Sequence, residues 1–259
     1  MTLDDMLEQA VTDLDEGRLA AAWSLLQQAR ELAPDDDEVL VLYCEVLAAR
    51  GEQQRAVELL RRRASEPSAA AEVLFALGDE LFSAGAAEEA LAVYQQLQGR
   101  GDSAVSALVR QGLVHMAQQA PEKAEACFQQ ALRCDENALE AASALGALYA
   151  ERGQLQQARN WYQRALEIDP DDVETLTSLA ELLYEQEERG EALKLVQRVT
   201  ELDAHWPAAW LLSGYLALDA DDEAEASRCF ETFLQLEHDP AAADLITEVQ
   251  AVLSALRED

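Results

Sequence analysis

Three histidines, four cysteines and 51 aspartates and glutamates are the side chains of this 259-residue chain with acid–base, nucleophilic or metal chemistry to offer. Zinc would need them as Cys-x-x-Cys or closely spaced histidines, phosphate chemistry a glycine-rich loop, and acyl transfer a nucleophile in a motif such as G-x-S-x-G. None of these patterns occurs. His115, His205 and His238 lie far apart in sequence, and Cys44, Cys127, Cys134 and Cys229 include no Cys-x-x-Cys pair. Cys127 and Cys134 are seven apart, which is the spacing of one helix face and neither a zinc site nor a disulfide framework. Carboxylates are so numerous that some must fall close together by chance, so proximity alone does not argue for general acid–base catalysis. The chain therefore reads as a non-enzyme with no catalytic residue, no cofactor and no metal. Its cysteines are expected in or near the core, and His115 as a packed or half-buried core residue.

The elements that would position such side chains are helices. Isoleucine occurs only at Ile168 and Ile246, whereas Ala, Leu, Glu and Gln abound, a helix-forming and not a sheet-forming composition. With 49% hydrophobic residues the chain can bury a core. A net charge of −32 argues against binding nucleic acid or an anionic membrane. The first residues, Met1 to Gln9, carry acids and no Lys or Arg, and no apolar stretch is long enough for a membrane helix. No membrane insertion and a cytoplasmic location are expected.

One period organises these helices. Blocks of 34 residues run without insertion through 3–36, 37–70, 71–104, 105–138, 139–172, 173–206 and 207–240, followed by a segment 241–259. The twentieth position is alanine in every block: Ala22, Ala56, Ala90, Ala124, Ala158, Ala192 and Ala226. The eighth is always small (Ala10, Cys44, Gly78, Gly112, Gly146, Ala180, Gly214), and the twenty-fourth is always bulky (Leu26, Leu60, Tyr94, Phe128, Tyr162, Val196, Phe230). Small positions twelve apart suit two antiparallel helices whose backbones approach closely while a large side chain fills the remaining gap. Each block thus predicts a helical hairpin. Gly17, Gly51, Gly85 and Gly153 at the fifteenth position mark the turn, where a left-handed residue is needed. Blocks four, six and seven carry Gln119, Glu187 and Asp221 there, so their turns are less sharply marked. Pro34, Pro67, Pro170, Pro207 and Pro240 are expected to stop one hairpin, with acids opening the next. Beyond Pro240, Leu245, Ile246, Val249, Val252, Leu253 and Leu256 recur at helical spacing, with Asp239 placed as N-cap. They predict one more amphipathic helix, covering the end of the array.

With these residues in place the sequence resembles the tetratricopeptide-repeat family. Block five carries the pattern most fully, with Leu145, Gly146, Tyr149, Gly153, Ala158, Tyr162, Ala165 and Pro170. The last block keeps Trp210, Gly214, Ala226 and Phe230 but has Ser213 and Ala217 where Leu and Tyr are usual, and the first block is weakest in its front helix. The resemblance covers about nine-tenths of the chain. It implies an all-α, right-handed superhelical solenoid of antiparallel hairpins whose front helices line a concave surface.

That implied mapping selects positions 2, 5, 9, 12 and 13 of each block as groove residues. Twelve of them are acidic: Asp4, Asp15, Glu38, Glu45, Glu72, Asp79, Glu140, Glu151, Glu174, Glu181, Glu185 and Asp219; none is Lys or Arg. Apart from Arg110 and Arg257, every basic residue falls at positions 14 to 30, in or beside the back helix. Charge is thus expected to segregate by face. Helix-dipole preference explains acids at position 2, but not Glu45, Asp79 and Glu181 in mid-helix, nor Glu151 and Glu185 near a helix end. A groove selected to be negative and a merely acidic protein both remain open. Apolar residues form three strips: Phe75, Phe82, Val109, Leu113 and Met116 at groove positions in the middle; Tyr184, Trp206, Leu211, Tyr215 and Leu218 toward the end of the stack; and Leu7, Val11 and Leu14 in the first block. The first is expected to contact a partner or to tuck into the core between repeats. The second could anchor a partner or pack on the final helices, and the third could serve a homodimer.

The function these observations imply is a non-catalytic scaffold or adaptor that binds a Lys/Arg-bearing, partly apolar segment of another protein in an acidic concave groove. Two alternatives are a chaperone or assembly factor that shields a client, and a structural homo-oligomer. Some family members clamp a chaperone's C-terminal carboxylate with Lys, Arg and Asn on the groove positions. This sequence has none of those residues there, and its acids would repel a carboxylate.

Overall fold

Helix propensity and the 34-residue period lead to an all-helical chain. The computed structural model describes residues 1–101, 103–238 and 240–256, and among them no strand is present. They form two compact units, Met1–Glu136 and Asn137–Asp259. In the first unit the helices are α1 (Leu3–Asp15), α2 (Leu19–Leu32), α3 (Asp37–Ala49), α4 (Gln53–Ala64), α5 (Ala71–Ser83), α6 (Ala87–Leu97), α7 (Ser103–Ala117) and α8 (Pro121–Cys134). The second holds α9 (Leu139–Glu151), α10 (Leu155–Ile168), α11 (Val173–Glu185), α12 (Arg189–Leu202), α13 (Pro207–Asp219) and α14 (Glu223–Leu236). A 3-10 turn at Pro240–Ala242 then leads into α15 (Ala243–Leu256). Within each unit a front helix pairs with the back helix that follows it, and successive hairpins pack side by side.

The hairpins close because small residues let backbones touch. The alanine at position twenty is completely buried in all seven blocks. Position eight and position twenty-four meet across the hairpin, and their sizes match. Glycine stands at position eight wherever position twenty-four is aromatic (Gly78 with Tyr94, Gly112 with Phe128, Gly146 with Tyr162, Gly214 with Phe230), and Ala or Cys wherever it is Leu or Val. A Cβ added at any of these four glycines would lie 2.3–2.5 Å from the partner ring, well inside van der Waals contact.

All seven hairpin turns share one geometry. The fifteenth residue has positive φ whether it is glycine, as at Gly51 (82°), or not, as at Gln119 (55°), Glu187 (62°) and Asp221 (56°). In each turn the next N–H bonds back to a carbonyl five residues earlier, as Gln154 does to Tyr149 at 2.8 Å and Glu188 to Leu183 at 2.9 Å. The three turns that lack glycine are therefore as regular as the rest, and helix packing holds side-chain-bearing residues in a left-handed conformation that costs about 1–2 kcal/mol each.

Three hairpins begin with side-chain caps, whereas α5, α9 and α13 have none. Asp36 accepts from the N–H groups of Glu38 and Val39, Asp172 from Thr175, and Thr2 forms a reciprocal capping box with Asp5. Pro207 does not stop a hairpin: it is the first residue of α13, where its missing N–H costs nothing. The expected N-cap Asp239 lies outside the described residues, as do the side chain of Asp15 and Arg257. Cys44 and Cys229 are buried, and burial pushes the Cys44 thiol up to about 12. Cys134, expected near the core, is instead exposed at the end of α8. His115 is half-buried on α7, with its Nδ1 3.2 Å from the Gln118 side-chain oxygen.

Candidate partner-binding face

Helical spacing puts positions 2, 5, 9, 12 and 13 on one side of each front helix, and the two units present different chemistry there. In unit 1, Phe75 and Phe82 on α5 are half-buried and rest on the core, while on α7 Leu113 is 39% exposed and Met116 half-buried. Val109, expected in the same strip, is only 4% exposed and is a core residue. Glu38, Glu45 and Glu72 are exposed.

Asp79, in the middle of this face, is not an open carboxylate. The Tyr94 hydroxyl donates to its Oδ1 at 2.6 Å, and the Arg110 guanidinium lies 3.7 Å away. Burial, then the neighbouring carboxylate, push the Tyr94 hydroxyl's pKa upward, so the phenol stays a donor. Asp219 in unit 2 is engaged in the same way. Arg189 donates from Nε at 2.6 Å and Tyr184 from its hydroxyl, and Arg189 holds the carboxyl below its ordinary range. Charge is thus not fully segregated: Arg110 sits on a front helix, and Arg189 reaches a front-helix acid from the start of α12.

Three acids of α9 and α11 in unit 2 have no such engagement. Glu151, Glu181 and Glu185 surround the Tyr162 hydroxyl, which bonds to Ser178 and whose pKa is pushed up to about 12, first by burial. No Lys or Arg pairs with these three among the described residues. Glu181 is an exposed residue of α11. Desolvation, and then repulsion from Glu185, raise its pKa above the ordinary glutamate value. Glu140 and Glu174, at the start of their helices, are exposed.

The other two expected strips are partly engaged from within. The Tyr215 ring packs edge-on against Phe230 at 5.3 Å, its hydroxyl bonds to Glu248 of α15, and Leu211 and Leu218 belong to the same cluster as Val249 and Leu253. Tyr215, Leu211 and Leu218 are half-buried. In the first block Leu7 is 6% exposed and part of the core, and Leu14 packs against that core, so only Val11 is openly exposed. Of the strip suggested for a homodimer, only Leu7 is withdrawn into the core. The neutralisation of Asp79 and Asp219 is invisible in the repeat pattern, because Arg110 and Arg189 stand outside the groove positions and a tyrosine on another helix gives no local signal.

Among the described residues no group of three or more His, Cys, Asp or Glu could hold a metal ion, and no helix is long and apolar enough to cross a membrane.

Comparison with known proteins agrees with this architecture. Residues 13–72 match a family model described as tetratricopeptide repeat, and residues 146–187 one described as TPR repeat. No curated protein sequence matches the chain. Among solved structures it is similar to a tetratricopeptide repeat protein from Parabacteroides merdae, at 19% identity, covering 98% of both chains with a TM-score of 0.66. It is also similar to yeast Tom70, at 16% identity and a TM-score of 0.89, with 98% of this chain covering 53% of that one. A thermophilic TPR protein from Thermus thermophilus is 25% identical over 71% of this chain and 100% of its own, with a TM-score of 0.59. At these identities the likeness speaks to the fold.

Proposed function

Since the chain is built of tetratricopeptide repeats, we propose that it is a non-catalytic, cytoplasmic scaffold that binds a segment of another protein along its front helices. The segment carries Lys or Arg together with apolar side chains. The observation that carries this reading is the contrast among the front-helix acids. Asp79 and Asp219 are engaged by tyrosines and arginines, whereas Glu181 is repelled by Glu185, and Glu151, Glu181 and Glu185, all acting on the Tyr162 hydroxyl, have no Lys or Arg partner among the described residues. Mutual repulsion at such a face is relieved when a guanidinium or ammonium group enters, so a cationic segment gains there what an acidic one loses. Phe75, Phe82, Leu113 and Met116 offer apolar contact in unit 1.

The test uses a partner recovered by crosslinking from the native host. Glu181→Lys/Glu185→Lys should weaken its binding at least tenfold and flatten the salt dependence, since fewer charges remain to be screened. Glu58→Lys/Glu201→Lys, at exposed positions on the back helices α4 and α12, is the control with the same change in net charge and should alter binding less than twofold. Equal losses from both pairs would refute recognition by the front helices.

A further inference from the structure

Unit 1 has an internal gradient that the reading above does not use. Along its front helices the exposed charge falls from α3 to α7. On α3, Glu38 and Glu45 are exposed. On α5, Glu72 is exposed, but Asp79 is held by Tyr94 and Arg110 and lies between Phe75 and Phe82. On α7 the corresponding positions hold Ser106, Val109, Leu113, Met116 and Ala117, with no acid at all. Because Asp79 is engaged by Tyr94 and paired with the partly exposed Arg110, it is not an unpaired acid beside Phe75, Phe82, Leu113 and Met116.

We infer that unit 1 docks a partner segment whose cations and apolar anchors are segregated along its length, with Lys or Arg over α3 and Leu, Phe or Met side chains over α5 and α7. This deepens, and rests on, the front-helix reading above. Packed helices lie about 8–10 Å apart, so the cationic and apolar groups must be separated by about that distance. Seven residues of helix, about 10.5 Å, meet that requirement. Charge complementarity chooses the occupant: a second copy of this chain, at −32, would bring acids to acids.

The experiment compares two fluorescein-labelled peptides of identical composition, one with three lysines at one end and three leucines at the other, the second with the same residues interleaved. Fluorescence anisotropy on the full chain should show the segregated peptide binding at least tenfold tighter. Glu38→Lys/Glu72→Lys and, separately, Leu113→Ser should each weaken it at least fivefold. Both changes are at exposed positions, and circular dichroism checks that the helices persist. Glu181→Lys/Glu185→Lys in unit 2 should change it less than twofold. Equal affinity for the two peptides overturns the inference. Loss only with the unit 2 pair also overturns it, while leaving the front-helix reading intact, and no loss with any variant overturns both.

Discussion

The pairing of glycine with an aromatic ring across each hairpin can be tested by a double-mutant cycle at Gly112 and Phe128. A Cβ at position 112 would lie 2.3 Å from one ring carbon of Phe128 and 2.7 Å from two others. Phe128 is completely buried, so its ring cannot swing aside and α7 must move away from α8. Overpacking of this kind costs about 1–3 kcal/mol. Alanine recovers about 1 kcal/mol of helix propensity relative to glycine, which leaves Gly112→Ala destabilised by about 0–2 kcal/mol. Phe128→Leu alone leaves space where the ring was, at a cost of about 1–2 kcal/mol, less than complete truncation of a phenylalanine. Together the two changes recreate the Ala10–Leu26 pair of the first block, where the methyl occupies the space the ring gave up. The double variant should then lie within about 1 kcal/mol of the parent, a coupling of about 2 kcal/mol. Urea unfolding gives the overall stability, and because stacked repeats can unfold in parts, hydrogen exchange of the α7 and α8 amides supplies the local readout. Additive losses, to within about 0.5 kcal/mol, would mean that the size match between positions eight and twenty-four is coincidental.

Three further outcomes follow from the same packing. Glu187→Gly should stabilise the chain by about 0.5–1 kcal/mol, because relief of the left-handed strain exceeds the extra entropy glycine has when unfolded; an unchanged or lower urea midpoint would contradict this. Burial alone would raise the Asp37 pKa, but hydrogen bonds from Arg63 and the Ala70 N–H outweigh it and hold the carboxyl below its ordinary value. Its folded pKa is thus lower than its unfolded one, so its contribution is complete above pH ~4 and is lost as pH falls through the folded pKa. Asp37→Asn should cost about 1–3 kcal/mol at pH 7 and progressively less in acid, as followed by unfolding across pH. For Glu181 the sign is reversed: its folded pKa is raised, so ionisation disfavours the fold as pH rises past the unfolded value near 4.5. Glu181→Gln should therefore stabilise at pH 7 and lose that advantage below about pH 4, and carbon-detected NMR titration should find the Glu181 carboxyl above its ordinary value in the free protein and lower once a cationic peptide is bound.

Much of the architecture was legible because it repeats. A side chain that recurs at the same place in seven blocks signals a packing requirement, and the alanine at position twenty is completely buried in all of them. The size match between positions eight and twenty-four was equally visible in the residues, since Gly78 faces Tyr94 and Ala180 faces Val196, but its cause is a distance of 2.3–2.5 Å that only the folded chain supplies. The turns at Gln119, Glu187 and Asp221 were obscured because the usual glycine is absent, and neighbouring helices impose the conformation that local preference resists.

Sequence periodicity by itself determined that the chain forms helical hairpins, where the glycine-marked ones turn, and which faces carry acids, because these depend on contacts within about 34 residues and recur in register. Tertiary structure alone decided which of those acids are open. Arg110 and Tyr94 converge on Asp79 from different helices, Arg189 and Tyr184 converge on Asp219, and the Tyr215 hydroxyl bonds to Glu248 of α15. Whether a carboxylate is neutralised depends on angstrom-scale proximity of groups remote in sequence, and a repeat pattern that specifies faces does not specify those distances.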